Sequence, residues 1–208
     1  MIRFVLVGVM ISCASSVFAI ANADSTVVKK KKVYYYAQLT SGTLIGCSSC
    51  DKTEFSLTMS LLQGVRIANA LRIGAGFGLD SYRDWKMTTA IVSADWDIVP
   101  NKSTPFVQVN YGIGLKAWRH FPVEYWNNDA LVDTKAGYSF HPKIGYRFYS
   151  GDWSVAFALG WQRQIISDYY EYPNGYWNGS QYISSEVSRV TTRNQLNRMT
   201  FGITVGWR

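Results

Sequence analysis

The sequence predicts an all-β fold, an eight-stranded antiparallel up-and-down transmembrane β-barrel, and three separate observations predict it. Apolar and polar residues alternate with a period of two through eight successive segments from Val33 onward. The breaks between those segments alternate short and long. Aromatic residues collect near segment ends, in a chain carrying 8 Trp, 14 Tyr and 10 Phe, where Trp and Tyr of a membrane barrel settle at the lipid–water boundary.

The strands read in order. Strand one covers about Val33 to Ile45. Strand two, about Thr53 to Val65, puts Phe55, Leu57, Met59 and Leu61 on one face and Ser56, Thr58 and Ser60 on the other. Strand three, about Ala70 to Tyr82, sets Leu71, Ile73, Ala75, Phe77 and Leu79 against Arg72, Gly74, Gly76, Gly78 and Asp80. Strand four, about Met87 to Ile98, sets Val92, Ala94 and Trp96 against Ser93, Asp95 and Asp97. Strand five, about Pro105 to Ala117, sets Val107, Val109, Tyr111, Ile113 and Leu115 against Gln108, Asn110, Gly112, Gly114 and Lys116. Strand six, about Tyr138 to Tyr149, sets Phe140, Ile144, Tyr146 and Phe148 against His141, Lys143, Gly145 and Arg147; Pro142, lacking a ladder donor, predicts an irregularity there. Strand seven, about Asp152 to Ile165, sets Val155, Phe157, Leu159 and Trp161 against small residues and Gln162. Strand eight, about Arg193 to Arg208, sets Met199, Phe201, Ile203, Val205 and Trp207 against Arg198, Thr200, Gly202, Thr204 and Gly206.

The two faces decide which way the barrel is turned. One is bulky, β-branched and aromatic, which suits lipid. The other mixes Gly and Ala with Arg, Lys and Asp, which suits a narrow interior filled without steric excess. A secreted lipocalin-like barrel would reverse this and leave Gly-rich faces in water, where they weaken the strands. The interior charges then form a lumen network of Arg72, Asp80, Asp95, Asp97, Lys116, Lys143, Arg147 and Arg198, since buried charges persist when paired. The alternative for the same residues is a narrow path for ions or small solutes.

The breaks at about Arg66–Asn69, Val99–Thr104 and Ser150–Gly151 are short. Those at about Trp118–Gly137 and Ser167–Thr192 are the longest. Short turns on the periplasmic side and long loops outside follow, with both termini periplasmic. Tyr34, Trp96, Phe106, Phe148, Trp153 and Trp207 fall near the periplasmic strand ends, and Tyr82, Trp85 and Trp118 near the outer ones, as two girdles.

Residues 1–23 read as a secretory signal: Arg3 in the n-region, Phe4 to Ile11 as the apolar core, and Ala21-Asn22-Ala23 as a cleavage site before Asp24, with Ala19 an alternative end. An uncleaved anchor needs about 18 apolar residues, and Ser12 to Ser16 interrupt the run. A lipoprotein cut before Cys13 meets a poor preceding match. Residues 24–32 form a basic periplasmic lead-in with Lys29 to Lys32, and residues 33–208 the barrel. The 21 basic residues less Arg3, against 14 acidic ones, leave +6 after cleavage. In an exported chain this marks a solvated segment near anionic lipid rather than a nucleic-acid surface. Cys47 and Cys50, in Cys-Ser-Ser-Cys, predict a local disulfide in an oxidising envelope; two thiolates alone do not complete a zinc site. No cofactor is expected.

Catalysis finds little purchase. Gly74, Gly76 and Gly78 are spaced by two inside a strand and do not make a nucleotide loop. His120, near Arg119, Glu124 and Ser139 in sequence, and His141, beside Lys143 and Arg147, are the two histidines, and neither sits in a recognised triad pattern. A lipid A-modifying enzyme remains the third alternative. The stretch from Asp168 to Tyr182, rich in Tyr and Trp, suits carbohydrate or protein contact outside the cell, or folds on its own rings. Asn178-Gly-Ser180 matches a glycosylation sequon that carries no weight in a bacterial chain.

Over about Val33 to Arg208 the sequence resembles the small outer-membrane barrel superfamily, of OmpA/OmpX/OmpW type. Its segments from Arg72 to Tyr82 and from Thr104 to Gly114 are similar to those of uncharacterised Bacteroidetes outer-membrane barrels. The resemblance implies the bacterial outer membrane, contact with its lipids and lipopolysaccharide, and insertion by the barrel-assembly machinery. That machinery is guided by a final amphipathic strand, here Phe201, Ile203, Val205 and Trp207; Arg208 departs from the usual terminal aromatic. The function expected is non-enzymatic, structural or ligand-contacting through the outer loops.

Overall fold

The computed structural model describes residues 33–46, 53–67, 70–99, 101–119, 130–177, 179–180 and 182–207. The signal, the lead-in, Cys47, Cys50, His120, Glu124, Asn178 and Arg208 lie outside the described residues. Eight strands follow in chain order: β1 (Val33–Gly46), β2 (Glu54–Ile67), β3 (Leu71–Ser81), β4 (Trp85–Asp97), β5 (Ser103–Arg119), β6 (Ala130–Ser150), β7 (Trp153–Trp177) and β8 (Tyr182–Trp207). Each pairs antiparallel with the next, and β8 returns to β1 from Ala37↔Trp207 to Gly46↔Arg198, closing the barrel. Closure satisfies the edges that an open sheet of such alternating strands would expose. Among the described residues no helix is long and apolar enough to cross a membrane, which says nothing about strands.

The wall is turned as the two faces require. Leu57, Ile73, Val109, Phe157 and Ile203 stand outward and exposed, while Arg72, Asp95, Asp97, Lys143, Arg147 and Arg198 stand inward and buried. A lipocalin-like barrel would have the opposite sense. The β2–β3, β4–β5 and β6–β7 connections, with Val33 and Trp207, share one end, called here the turn end; the β7–β8 hairpin rises at the other. Gly151, at φ 60°, opens the two-residue turn between Ser150 and Trp153, a conformation that side chains rarely adopt.

Several expectations need correcting. Ser167–Thr192 is not a loop: β7 and β8 run as 25 and 26 residues, paired from Trp153↔Trp207 to Trp177↔Tyr182 with an irregularity at Pro173/Gly175. Residues 130–137 of the second long break likewise belong to β6. Along β8 the described residues from Ser188 to Arg193 are exposed without alternation, so no period-two signal marks them. Arg66 is not in a turn but in β2, pointing inward.

Lys116 is not in the lumen. Thr88 pairs Lys116 but Thr89 pairs Gly114, so Leu115 is an extra residue. That bulge reverses the alternation, turning Ala117 inward and Lys116 outward. At Pro142 the β6–β7 ladder is interrupted, with no pair at His141 or Pro142, but not shifted, since Phe140↔Arg163 and Lys143↔Gly160 keep one register; register shifts in β6 fall at Leu131/Asp133 and Ala136/Ser139.

Four girdle assignments also change, the first being Tyr34, which pairs with inward Arg66 and so lies on the inner face. Phe106, Tyr82 and Trp85 are 2%, 3% and 6% exposed and point into the barrel. Trp85 and Met87 share the face of Thr89, so strand parity overrides the position of the ring in the chain. The turn-end girdle keeps Trp96, Phe148, Trp153 and Trp207, the last two with ring centroids 5.9 Å apart, and Trp118 remains outward at the opposite end.

Candidate functional site

The interior is built in three layers. At the turn end, β4 supplies Asp95 and Asp97, adjacent inward positions two residues apart. Arg66 from β2, Arg72 from β3 and Arg147 from β6 converge on them. Arg147 spans both carboxylates, at 2.6 Å to Asp95 and 2.5 Å to Asp97. Arg72 reaches Asp97 at 2.6 Å and Asp95 at 3.5 Å, and Arg66 reaches Asp97 at 3.3 Å. Tyr149 donates its hydroxyl to the second Asp97 oxygen. Rings back the guanidiniums: Arg147 lies 4.1 Å from the Phe106 centroid and Arg66 lies 4.8 Å from that of Tyr149. Gly145 makes room for the Phe106 ring, which a Cβ there would meet at 2.7 Å. Such a cluster is tolerable inside the barrel because each carboxylate is fully engaged by charge-assisted bonds.

The middle layer is polar. Asp80 accepts from Thr58 at 2.6 Å and from Gln162 at 2.8 Å. His141 and Thr200 share a hydrogen bond of 2.9 Å. Arg198 pairs with Glu54 at 2.8 Å. Lys143 lines a small cavity with Asp80, Asn110 and His141. At the hairpin end the filling turns apolar: Leu44, Tyr82, Trp85, Met87, Ala117, Ile166 and Leu196 form one buried cluster. Asp168 caps it, accepting from Thr134 at 2.8 Å, Asn194 at 3.1 Å and the Trp85 indole at 3.4 Å.

Of the lumen charges expected from the alternation, Arg72, Asp95, Asp97 and Arg147 meet in one cluster. Asp80, Lys143 and Arg198 lie higher and apart, and Lys116 lies outside. Arg66, Tyr149, Glu54 and Asp168 belong to the interior though the sequence reading passed over them. Glu54 shares the parity of Ser56 and Thr58, a signal that was there to read. Arg66 was hidden by its place at a strand end. The side chains of residues 172–178 and 181–187, most of the aromatic stretch, lie outside the described ones; Tyr169 packs on Lys135 at 4.7 Å.

The chemistry this interior offers is limited. Cavities of about 20, 30 and 10 Å³ lie beside these polar groups, room for isolated waters. His141 is buried and shares its hydrogen bond with the Thr200 hydroxyl, and among the described residues no carboxylate bonds its ring to complete a triad. Among the described residues no three His, Cys, Asp or Glu gather as metal ligands.

No protein-family model matches the sequence, and no curated protein matches it. Solved structures do match in fold. The crystal structure of Neisserial surface protein A is 13% identical, with a TM-score of 0.52 over 85% of this chain and 99% of that one. The chain has the fold of the small outer-membrane β-barrels. The outer membrane protein OprG from Pseudomonas aeruginosa is also similar, at 8% identity and a TM-score of 0.48, over 85% of this chain and 96% of that one.

Proposed function

We propose that this chain is a non-enzymatic bacterial outer-membrane β-barrel that anchors a protruding β7–β8 hairpin and meets extracellular ligands through it. The observation that carries the reading is the inverted wall, with large apolar side chains exposed on every strand around a polar, filled interior. A surface of that extent is stable against hydrocarbon and not against water. Outer-membrane lipids and lipopolysaccharide are then the partners of the belt, and the alternating Phe201, Ile203, Val205 and Trp207 of β8 suit delivery by the barrel-assembly machinery. The signal over residues 1–23 and a Cys47–Cys50 disulfide fit the same export route. A largely filled lumen favours anchoring over conduction, since the cavities among its described charged and polar residues measure about 30 Å³ or less.

The turn end with both termini lies in the periplasm in this reading, and the hairpin lies outside. Single cysteines at Ser180 and Asp152, in a Cys47→Ser, Cys50→Ser background, test it with a membrane-impermeant maleimide. Ser180→Cys is labelled on intact cells and Asp152→Cys only after lysis. The reverse pattern, or a protein recovered in the soluble fraction, overturns the assignment.

A further inference from the structure

An apolar groove of about 560 Å³ crosses the outer wall near the turn end. Its two sides are neighbouring rows of outward side chains, in register from strand to strand. Pro105, Tyr146 and Phe157 form the row nearer the turn end, and Val107, Ile144 and Leu159 form the other. The backbone of Gly145 and Ala158 lies between them. Tyr146 opens the groove by leaning out of it. Its ring packs on Phe148, with centroids 5.1 Å apart, and its hydroxyl donates to Ser103 Oγ at 3.3 Å. Ser103 and Phe148 pair one row closer to the turn end, so both contacts draw the ring away from Ile144.

The groove climbs the wall. Ile98, at one end, donates its N–H to Pro105 at the β4–β5 turn, whereas Phe201, at the other, stands well inside β8. It therefore rises from the turn-end rim into the belt, as an acyl chain rises from its headgroup. The step from β4 to β8 gives it a length of about 19 Å. Half of a bilayer's hydrocarbon core is about 15 Å thick, so one tilted chain of a single leaflet matches the groove. A cation stands at its lower end. Lys102 is exposed and, among the described residues, has no carboxylate partner. Its turn is tied down: the Lys102 N–H donates to Asn101 Oδ1 at 2.8 Å, and its carbonyl accepts from the Tyr149 N–H at 2.8 Å. An ammonium and the Tyr146–Ser103 hydroxyls thus stand where a lipid phosphate would lie.

We propose that this groove binds one acyl chain of a glycerophospholipid from the leaflet at the turn end, with the lipid phosphate on Lys102. The site rests on the outer-membrane reading above, in which that leaflet is the periplasmic one and lipopolysaccharide lies in the other. A chain gains nothing by the hydrophobic effect on moving from lipid into the groove, because both are hydrocarbon. Packing along the two rows and the phosphate–ammonium contact at the interface hold it instead.

The test uses the full mature chain in phosphatidylcholine nanodiscs doped with a phosphatidylglycerol that carries a photoactivatable group in one acyl chain. Cross-links should fall on Val107, Ile144 and Leu159 in preference to Val92 and Tyr111, which are exposed on the same belt outside the groove. Native mass spectrometry from micelles should then show one phosphatidylglycerol retained. Val107→Trp, laying a ring over the groove, and Lys102→Glu, reversing the charge at its mouth, should each lower the retained fraction several-fold. Val92→Trp should leave it unchanged. Where a variant does not fold, the cross-link map of the unaltered chain decides. Cross-links spread evenly over the belt, cross-links that join two copies of the chain, or retention equal in all variants overturns the site and leaves the barrel reading standing. A chain that does not insert into bilayers overturns both.

Discussion

The two ends of this barrel fill the same narrow tube by opposite means. The turn end uses Arg66, Arg72 and Arg147 around Asp95 and Asp97, with Phe106 and Tyr149 as backing rings. The hairpin end uses Leu44, Met87, Ile166, Leu196 and two inward aromatics, with Asp168 as a polar cap. An apolar filling loses in proportion to the volume removed, because neighbours can relax into part of the gap. A charged filling loses discontinuously, because removing one partner leaves the charge of the others buried and less compensated. The difference is therefore one of tolerance: the turn end is all-or-none, and the hairpin end is graded.

Substitutions can break or sharpen that contrast. Asp97→Ala should have the largest effect, about 3–5 kcal/mol in urea unfolding of the micelle-folded barrel, because it removes one of the two buried carboxylates that Arg72 and Arg147 share. A loss under about 1 kcal/mol would mean that water reaches this layer and that the ends do not differ. Met87→Ala, in the apolar layer, should cost about 2–4 kcal/mol, scaling with the cavity left; successive truncation to Val and then Ala should give graded losses. A jump at the first step would erase the distinction. Lys116→Ala should change stability by no more than about 0.5 kcal/mol, as expected of an outward side chain past the Leu115 bulge. A cost as large as that of Asp97→Ala would put Lys116 back inside and reject the bulge.

The parts of the fold that face two different environments were legible in the sequence. Leu71 through Asp80 alternates without a break, and that alternation alone gives a strand, its two faces and the inward direction of Arg72 and Asp80. Where the environments become alike the signal stops: Thr191 to Arg193 are exposed on both faces, so the ladder of β7 and β8 reads as loop. Local position misled in the other direction. Tyr82 and Trp85 stand where a girdle belongs, yet they share a face with Thr89 and so turn inward, where Asp168 receives the indole N–H.

For the site, parity could place Asp95 and Asp97 on the inner face but could not choose their partners. Arg66, Arg72 and Arg147 come from three strands, and Lys116, on the predicted inner face as well, is excluded by one inserted residue. A bulge has no composition of its own; it exists only in the register between β4 and β5.

By itself the sequence determined the antiparallel eight-stranded barrel and the inversion of its wall, because period-two alternation is a local property of each strand and needs no neighbour. The tertiary structure alone decided which charges meet, which aromatics turn inward, how far the hairpin rises and where the outer wall opens into a groove. Those depend on register and closure, which bring Arg66, Arg72 and Arg147 to one place from distant parts of the chain.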